Sequence, residues 1–404
     1  MVFRTGIFFA IFASFITGVF AQEEGEEASE GLALSDFRRS TPSGNYIDPS
    51  SFFRFHGYVS LSYASPDEEL SGGQILVSDV SERTGENEGG FKSDAALFVG
   101  GEPFEGVGAV IEIHFVGDGT DPVITEAKFS YDLIGEEVED AGLRLIGGRF
   151  WWPFGIHDGE WFSAVNQFTL VSPAALMVVP PHYNEVGLML EGEKMFSDAL
   201  GINGVLSYGN GVSGFSLREN VRSTSFDQND NRTVTGRLGL KALYDNLVYE
   251  FGFSASDGEF RDGEDTTIED MTDAARFGAD FTAWGPDLTV GWGPFGLTAY
   301  YYKSEEDIDT GVTLKRSGYT IEPSVRFPTQ LERLKSVTLL GRYGEAEQET
   351  LSGDDQKVSQ YGFSVNFQLT RAFFTKIGYM IQDEGKDSPS KDDDIFSFSF
   401  TGEF

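Results

Sequence analysis

The sequence predicts an all-β protein: a transmembrane antiparallel β-barrel of about sixteen strands, with short periplasmic turns and long extracellular loops. Three observations lead there. From residue 52 onward, runs of roughly ten residues alternate apolar and polar side chains. The connections between runs are mostly tight on one side and long on the other. The last run, Ile395 to Phe404, puts Phe396, Phe398, Phe400, Gly402 and Phe404 on one face and Ser397, Ser399, Thr401 and Glu403 on the other.

Residues 1–21 read as a secretory signal. Arg4 supplies the positive start, residues 6–20 are almost wholly apolar, and Val19-Phe20-Ala21 places small residues where a cleavage site needs them. The apolar run is short for the ~20 residues of a membrane helix. Residues 22–51 are polar, acidic and without period, as expected of a flexible periplasmic segment. The barrel then occupies residues 52–404. The chain has 404 residues and no cysteine, which fits an exported bacterial envelope protein. It is rich in Gly (49) and Phe (37), yet 65 Asp and Glu against 29 Lys and Arg leave a net charge of −36. That charge excludes nucleic acid as a partner.

The strand runs are 53–64, 91–101, 106–116, 123–132, 142–151, 184–192, 200–209, 232–244, 247–256, 274–292, 295–303, 313–327, 334–343, 357–369, 372–382 and 394–404. In the first, Phe53, Phe55, Gly57, Val59, Leu61 and Tyr63 oppose Arg54, His56, Tyr58, Ser60 and Ser62. Such a face turns to lipid in a membrane barrel, and its small, polar opposite turns to a wet lumen. The run 274–292 is interrupted by Gly285-Pro286 and reads as one bulged strand or two short pieces. Aromatics near run ends (Phe53, Tyr63, Tyr131, Trp151, Tyr208, Tyr244, Tyr343 and Phe373) are expected to form interfacial girdles.

Tight connections follow the even-numbered runs: Gly101–Glu105, Asp245-Asn246, Gly293-Pro294 and Thr370-Arg371. After the odd-numbered runs come 65–90, 152–183, 210–231, 257–273, 304–312, 344–356 and 383–393, with 117–122 as the short exception. A β-sandwich has no reason to segregate loop lengths this way. The segments 65–90, 257–273, 304–312, 344–356 and 383–394 hold 30 Asp and Glu against 4 Lys and Arg, an acidic vestibule or a solvated cell surface.

Two kinds of resemblance follow. The terminal strand is similar to that of outer-membrane barrels, which implies the bacterial outer membrane as destination and the β-barrel assembly machinery, lipid and lipopolysaccharide as partners. Further in, Gly147-Gly-Arg-Phe-Trp-Trp-Pro-Phe-Gly155, Tyr183-Asn-Glu-Val-Gly-Leu-Met-Leu-Glu-Gly192 and Asp287-Leu-Thr-Val-Gly-Trp-Gly-Pro-Phe-Gly-Leu-Thr-Ala-Tyr300 resemble the phosphate-selective porin O/P-like family. That resemblance covers 52–404 and implies a sixteen-stranded, trimeric porin whose third loop folds into the lumen. The residues of 152–183 agree. Trp161, Phe162, Phe168, Leu170, Leu176, Met177, Val178 and Val179 are too apolar for a loop in water, so the segment, closed by His182, is expected to narrow the lumen or cover a subunit contact.

Alternation points Arg54, Lys128, Arg144, Arg237, Lys241, Arg276, Arg326, Arg342 and Lys376 into the lumen. Glu112, Glu126, Asp132, Glu185, Glu191, Glu250, Asp280 and Glu322 are expected on the same face, a mixed lining rather than the basic rows of a phosphate channel. His114 beside Glu112 is a candidate acid–base pair or ordinary lining. The four His have no metal spacing, and no nucleophile elbow, P-loop or dinucleotide fingerprint occurs. Neither a catalytic centre nor a cofactor is expected. The leading expectation is a passive porin. The alternative is a structural or adhesive surface barrel with a plugged lumen and acidic binding loops.

Overall fold

A computed structural model describes residues 54–66, 90–116, 122–134, 141–156, 168, 173–179, 184–211, 232–259, 280–308, 312–331, 333–349, 356–370, 372–384 and 393–403. The expected signal and acidic lead-in, Phe53 and the terminal Phe404 lie outside them.

The sixteen strands are β1 (Arg54–Pro66), β2 (Gly90–Phe104), β3 (Val107–Val116), β4 (Val123–Ile134), β5 (Ala141–Trp151), β6 (Asn184–Ser197), β7 (Leu200–Gly209) and β8 (Thr233–Tyr244), followed by β9 (Leu247–Glu259), β10 (Asp280–Trp292), β11 (Phe295–Ile308), β12 (Val312–Leu331), β13 (Leu334–Glu349), β14 (Gln356–Gln368), β15 (Phe373–Glu384) and β16 (Asp393–Glu403). Each pairs antiparallel with its sequence neighbours, and β16 pairs with β1 from Tyr58↔Glu403 to Pro66↔Ile395. The ring therefore has no free edge, and its ladder satisfies the backbone without water. No helix among the described residues is long and apolar enough to cross a membrane.

Alternation sorts the wall into two faces. Phe55, Phe129, Phe251, Phe327 and Phe363 stand exposed on the outside. On a closed barrel such a surface matches lipid. Trp284 and Trp292 mark its two rims on β10. Eight residues at ~3.3 Å, tilted by ~40°, give a band of about 20 Å, near the ~25 Å of such barrels. Tyr208 joins the loop-side girdle, and Tyr244 and Phe373 the turn-side girdle.

Tight turns set the register. Asp245 at φ 54° and Gly293 at φ 55° adopt left-handed backbone in the two-residue turns 245–246 and 293–294. β10 is one continuous strand, in unbroken register with β9 from Asp280↔Glu259 to Trp292↔Leu247. Gly285 allows this, because a Cβ there would lie 1.9 Å from the Tyr301 carbonyl oxygen.

Several boundaries differ from those predicted. β2 runs on to Phe104, so its turn is 105–106, and the connection after β14 is 369–372. β9, β11 and β13 continue to Glu259, Ile308 and Glu349, so the supposed loop 304–312 shrinks to 309–311 and 344–356 to 350–355. Acidic residues stop a lipid-facing run but not a ladder; above the membrane they are simply solvated strand residues.

Candidate functional site

The segment between β5 and β6 folds into the barrel. Both of its feet are held by neighbouring strands. Trp151 donates through Nε1 to Glu112 Oε2 at 3.1 Å and through its backbone N–H to Glu126 Oε1 at 3.5 Å. Asn184 Nδ2 donates to the Thr125 carbonyl at 2.8 Å. Trp151, expected in the outer girdle, instead packs inside against Tyr58, Ala96 and Phe98, because it is the residue at which the chain turns inward.

From there the chain follows the inner wall. Trp152 Nε1 donates to Thr235 Oγ1 on β8 at 2.6 Å, and the Gly155 N–H to Ser254 Oγ on β9 at 2.9 Å. The Trp152 and Phe154 rings stack at 4.6 Å, and Phe154 meets Tyr302 of β11 edge-on at 5.1 Å. Phe168 is 2% exposed and lies beneath the Arg342 guanidinium of β13, 4.2 Å from ring centroid to Cζ. A short 3-10 helix, Ala174–Val178, packs on β11 to β14. The Ala175 N–H donates to Thr320 Oγ1 at 3.1 Å, and Ser304 Oγ donates to the Val178 carbonyl. Gly318 and Gly344 make this seat: a Cβ on either would fall 3.0–3.3 Å from Ala174, Ala175 or Val178. Since β13 is eight strands from β5 in a ring of sixteen, the segment reaches the far wall.

The resulting core joins Trp152, Phe154, Ala174, Ala175, Leu176, Val178 and Val179 to the inward residues Phe281, Ala283, Tyr300, Tyr302, Ala346 and Val358. Trp161, His182 and Arg276 lie outside the described residues. Met177 is in the 3-10 helix and Arg54 in β1, but neither side chain is described.

Register places the remaining charged candidates, Asp280 excepted, on the inner face, and many sit in ion pairs. Lys128 Nζ is 2.7 Å from Glu126 Oε1, and Arg144 Nε 2.5 Å from Asp132 Oδ1. Arg237 is bidentate on Asp287, at 2.6 and 3.0 Å, and also reaches Glu250 at 3.0 Å. Lys241 stands 3.8 Å from Glu193, and Arg342 2.5 Å from Glu322. Arg326 bonds Ser336 and Gln368, and the Lys376 ammonium lies 5.1 Å from the Phe374 ring. Glu112 faces Glu126 across the β3–β4 ladder. Glu185 accepts from Ser207 at 3.1 Å.

Three readings of the residues change. Asp280 pairs with Glu259 and Asp307 on the outer face, whereas Asp287, not singled out before, is 1% exposed inside. The inward positions of β10 are odd-numbered, a parity that Phe281 and Ala283 on one side of Gly285-Pro286 and Asp287 on the other could have revealed. His114 binds Asp94, Nε2 to Oδ1 2.5 Å, rather than Glu112, and Asp94 also accepts from Tyr58 at 3.1 Å. Arg316, overlooked beside its strand-mates, bonds Glu306 at 2.8 Å and Gln348 at 2.6 Å. Among the described residues no group of three or more His, Asp or Glu is placed to hold a metal ion.

No protein-family model and no curated protein sequence matches the chain. Solved structures do match. Outer-membrane expressed OmpT of Vibrio cholerae aligns at TM-score 0.54 and 12% identity, covering 89% of this chain and 100% of that one. An anion-selective porin from Comamonas acidovorans aligns at 0.54 and 10%, covering 87% and 99%. OmpF of Salmonella typhi, in complex with daunomycin, aligns at 0.51 and 13%, covering 87% and 97%. At this identity the likeness is one of fold: this chain has the closed-barrel architecture of outer-membrane porins.

Proposed function

We propose that this protein is a porin of the bacterial outer membrane, through which small hydrophilic solutes and ions diffuse passively, and that segment 152–183 narrows its lumen. The observation that carries this is the seat of that segment: apolar residues packed on the inner wall from β8 to β14, inside a barrel whose outer face is apolar. A segment there takes cross-section from the lumen without closing the ring. The porins and channels with which the chain shares its architecture support the same reading.

In this account residues 1–21 direct export, residues 22–51 lie in the periplasm, and the β-barrel assembly machinery receives the terminal strand. Three copies form the unit, as the trimer form of OmpT does. Lipid and lipopolysaccharide cover the outside. The motifs shared with the phosphate-selective porin O/P-like family support kinship in architecture. The paired bases of the lumen argue against phosphate as the solute, since a base held by a carboxylate presents no net positive charge to an anion.

Purified protein added to planar lipid bilayers should give stepwise ion conductance. Silence over many verified insertions would overturn the proposal.

A further inference from the structure

The inner wall of β4 to β10 carries a belt of interleaved acids and bases. Arg144 on β5 bonds Asp132 on β4 and lies directly across from Glu191 on β6. Two residues further along β6, Glu193 stands 3.8 Å from Lys241 on β8. Lys241 is directly across from Glu250 on β9. Glu250 meets Arg237 at 3.0 Å, and Arg237 ends the belt on Asp287 of β10 at 2.6 Å. The belt has five carboxylates and three bases. A carboxylate stands at each end, two stand side by side on β6, and every base lies between two acids.

The depth of these groups differs as well. The side chains of Lys241 and Arg237 are 5% and 10% exposed, whereas their partners Glu193 and Glu250 are 46% and 25% exposed. The bases lie against the wall and the carboxylates cover them toward the lumen. Gly252 lets Arg237 lie flat, since a Cβ there would meet its guanidinium at 2.4 Å. Arg144, at 47% against 23% for Asp132, is the more open member of its pair, and Asp287, at 0%, lies deeper than Arg237. A solute crossing this half of the lumen meets a net negative wall.

We infer that the lumen is cation-selective, and that the belt from Asp132 to Asp287, with Glu193 and Glu250 as its exposed members, determines this. This rests on the channel reading above and assigns it a solute class: inorganic cations and small organic cations pass in preference to phosphate or other anions. Fixed carboxylates along a low-dielectric wall raise the local cation concentration and exclude co-ions. They differ from the acidic residues at the loop ends in being shielded by the wall, so they keep their effect at ionic strengths that screen an exposed rim.

The test is the zero-current potential of the purified protein in bilayers under a roughly tenfold KCl gradient, where the belt should give K⁺ over Cl⁻ permeability by roughly 3-fold or more. The double variant E193Q/E250Q should bring that ratio close to one, and Arg144→Gln, which removes a base and leaves both its acids, should raise it. Retained resistance to SDS at room temperature identifies folded barrels. Where the double variant is unfolded, Arg144→Gln decides alone, by the rise or its absence. A wild-type ratio at or below one, or a cation preference that neither variant moves, overturns the inference and leaves the channel standing. Absence of any conductance overturns the channel reading, and the inference falls with it.

Discussion

Asp287 is 1% exposed and holds Arg237 through two hydrogen bonds. Replacing it with Ala leaves a buried guanidinium with Glu250 alone, which should cost about 3–5 kcal/mol. Urea unfolding in lipid vesicles, followed by tryptophan fluorescence, measures this; an unchanged midpoint would contradict the pairing. Phe168 is a different case. Its ring carries the Arg342 guanidinium of β13. Phe168→Ala should loosen the segment with little effect on the barrel, since the strand ladder does not pass through it. The expected readout is faster proteolysis within 157–172 in folded, SDS-resistant protein. These partnerships were not legible in the sequence. Alternation told which face Arg237, Arg342 and Lys376 share, but a partner two strands away depends on register, and register follows from turns and bulges that residue types specify only in part. Asp287 was missed for the same reason, with the parity of β10 uncertain across Gly285-Pro286.

Among the elements, the strands were legible and their upper ends were not. All sixteen runs appear as strands in the predicted order, because lipid demands an apolar position at every second residue and the lumen tolerates almost anything polar between. That demand stops at the headgroups. Glu305, Asp307, Glu345, Glu347 and Glu349 therefore read as loop and prove to be strand, outward-facing above the girdle of Trp284, Tyr361 and Tyr379. The segment 152–183 was legible from its apolar content as a buried element, in the lumen or at a subunit contact. Its seat was not, because Gly318 and Gly344 look like any strand glycine until the helix is placed against them. Gly344→Val should force the 3-10 helix off the wall, an overpacking worth about 1–3 kcal/mol. Barrel assembly should survive while the segment becomes accessible to protease. Loss of the barrel itself would show that the segment is part of the folding unit.

The whole molecule inverts a soluble protein: between the girdles its aromatics face outward, and the buried charges face in. Phe251 lies near mid-height on the outside of β9 and is 43% exposed. Phe251→Arg should destabilise the barrel by about 2–4 kcal/mol in reversible unfolding from vesicles. A change near zero would mean that this face is not in lipid. Inside, the segment from β5 occupies the wall from β8 to β14, and the charged belt lines the wall from β4 to β10. On the proposed channel reading, conduction passes between a packed segment and a set of pinned charges, and the segment limits throughput. The most direct measurement replaces residues 153–182 with a short glycine–serine linker and compares single-channel conductance with that of the intact protein. The account predicts folded barrels with distinctly larger conductance steps. Folded barrels with unchanged or smaller steps would contradict it.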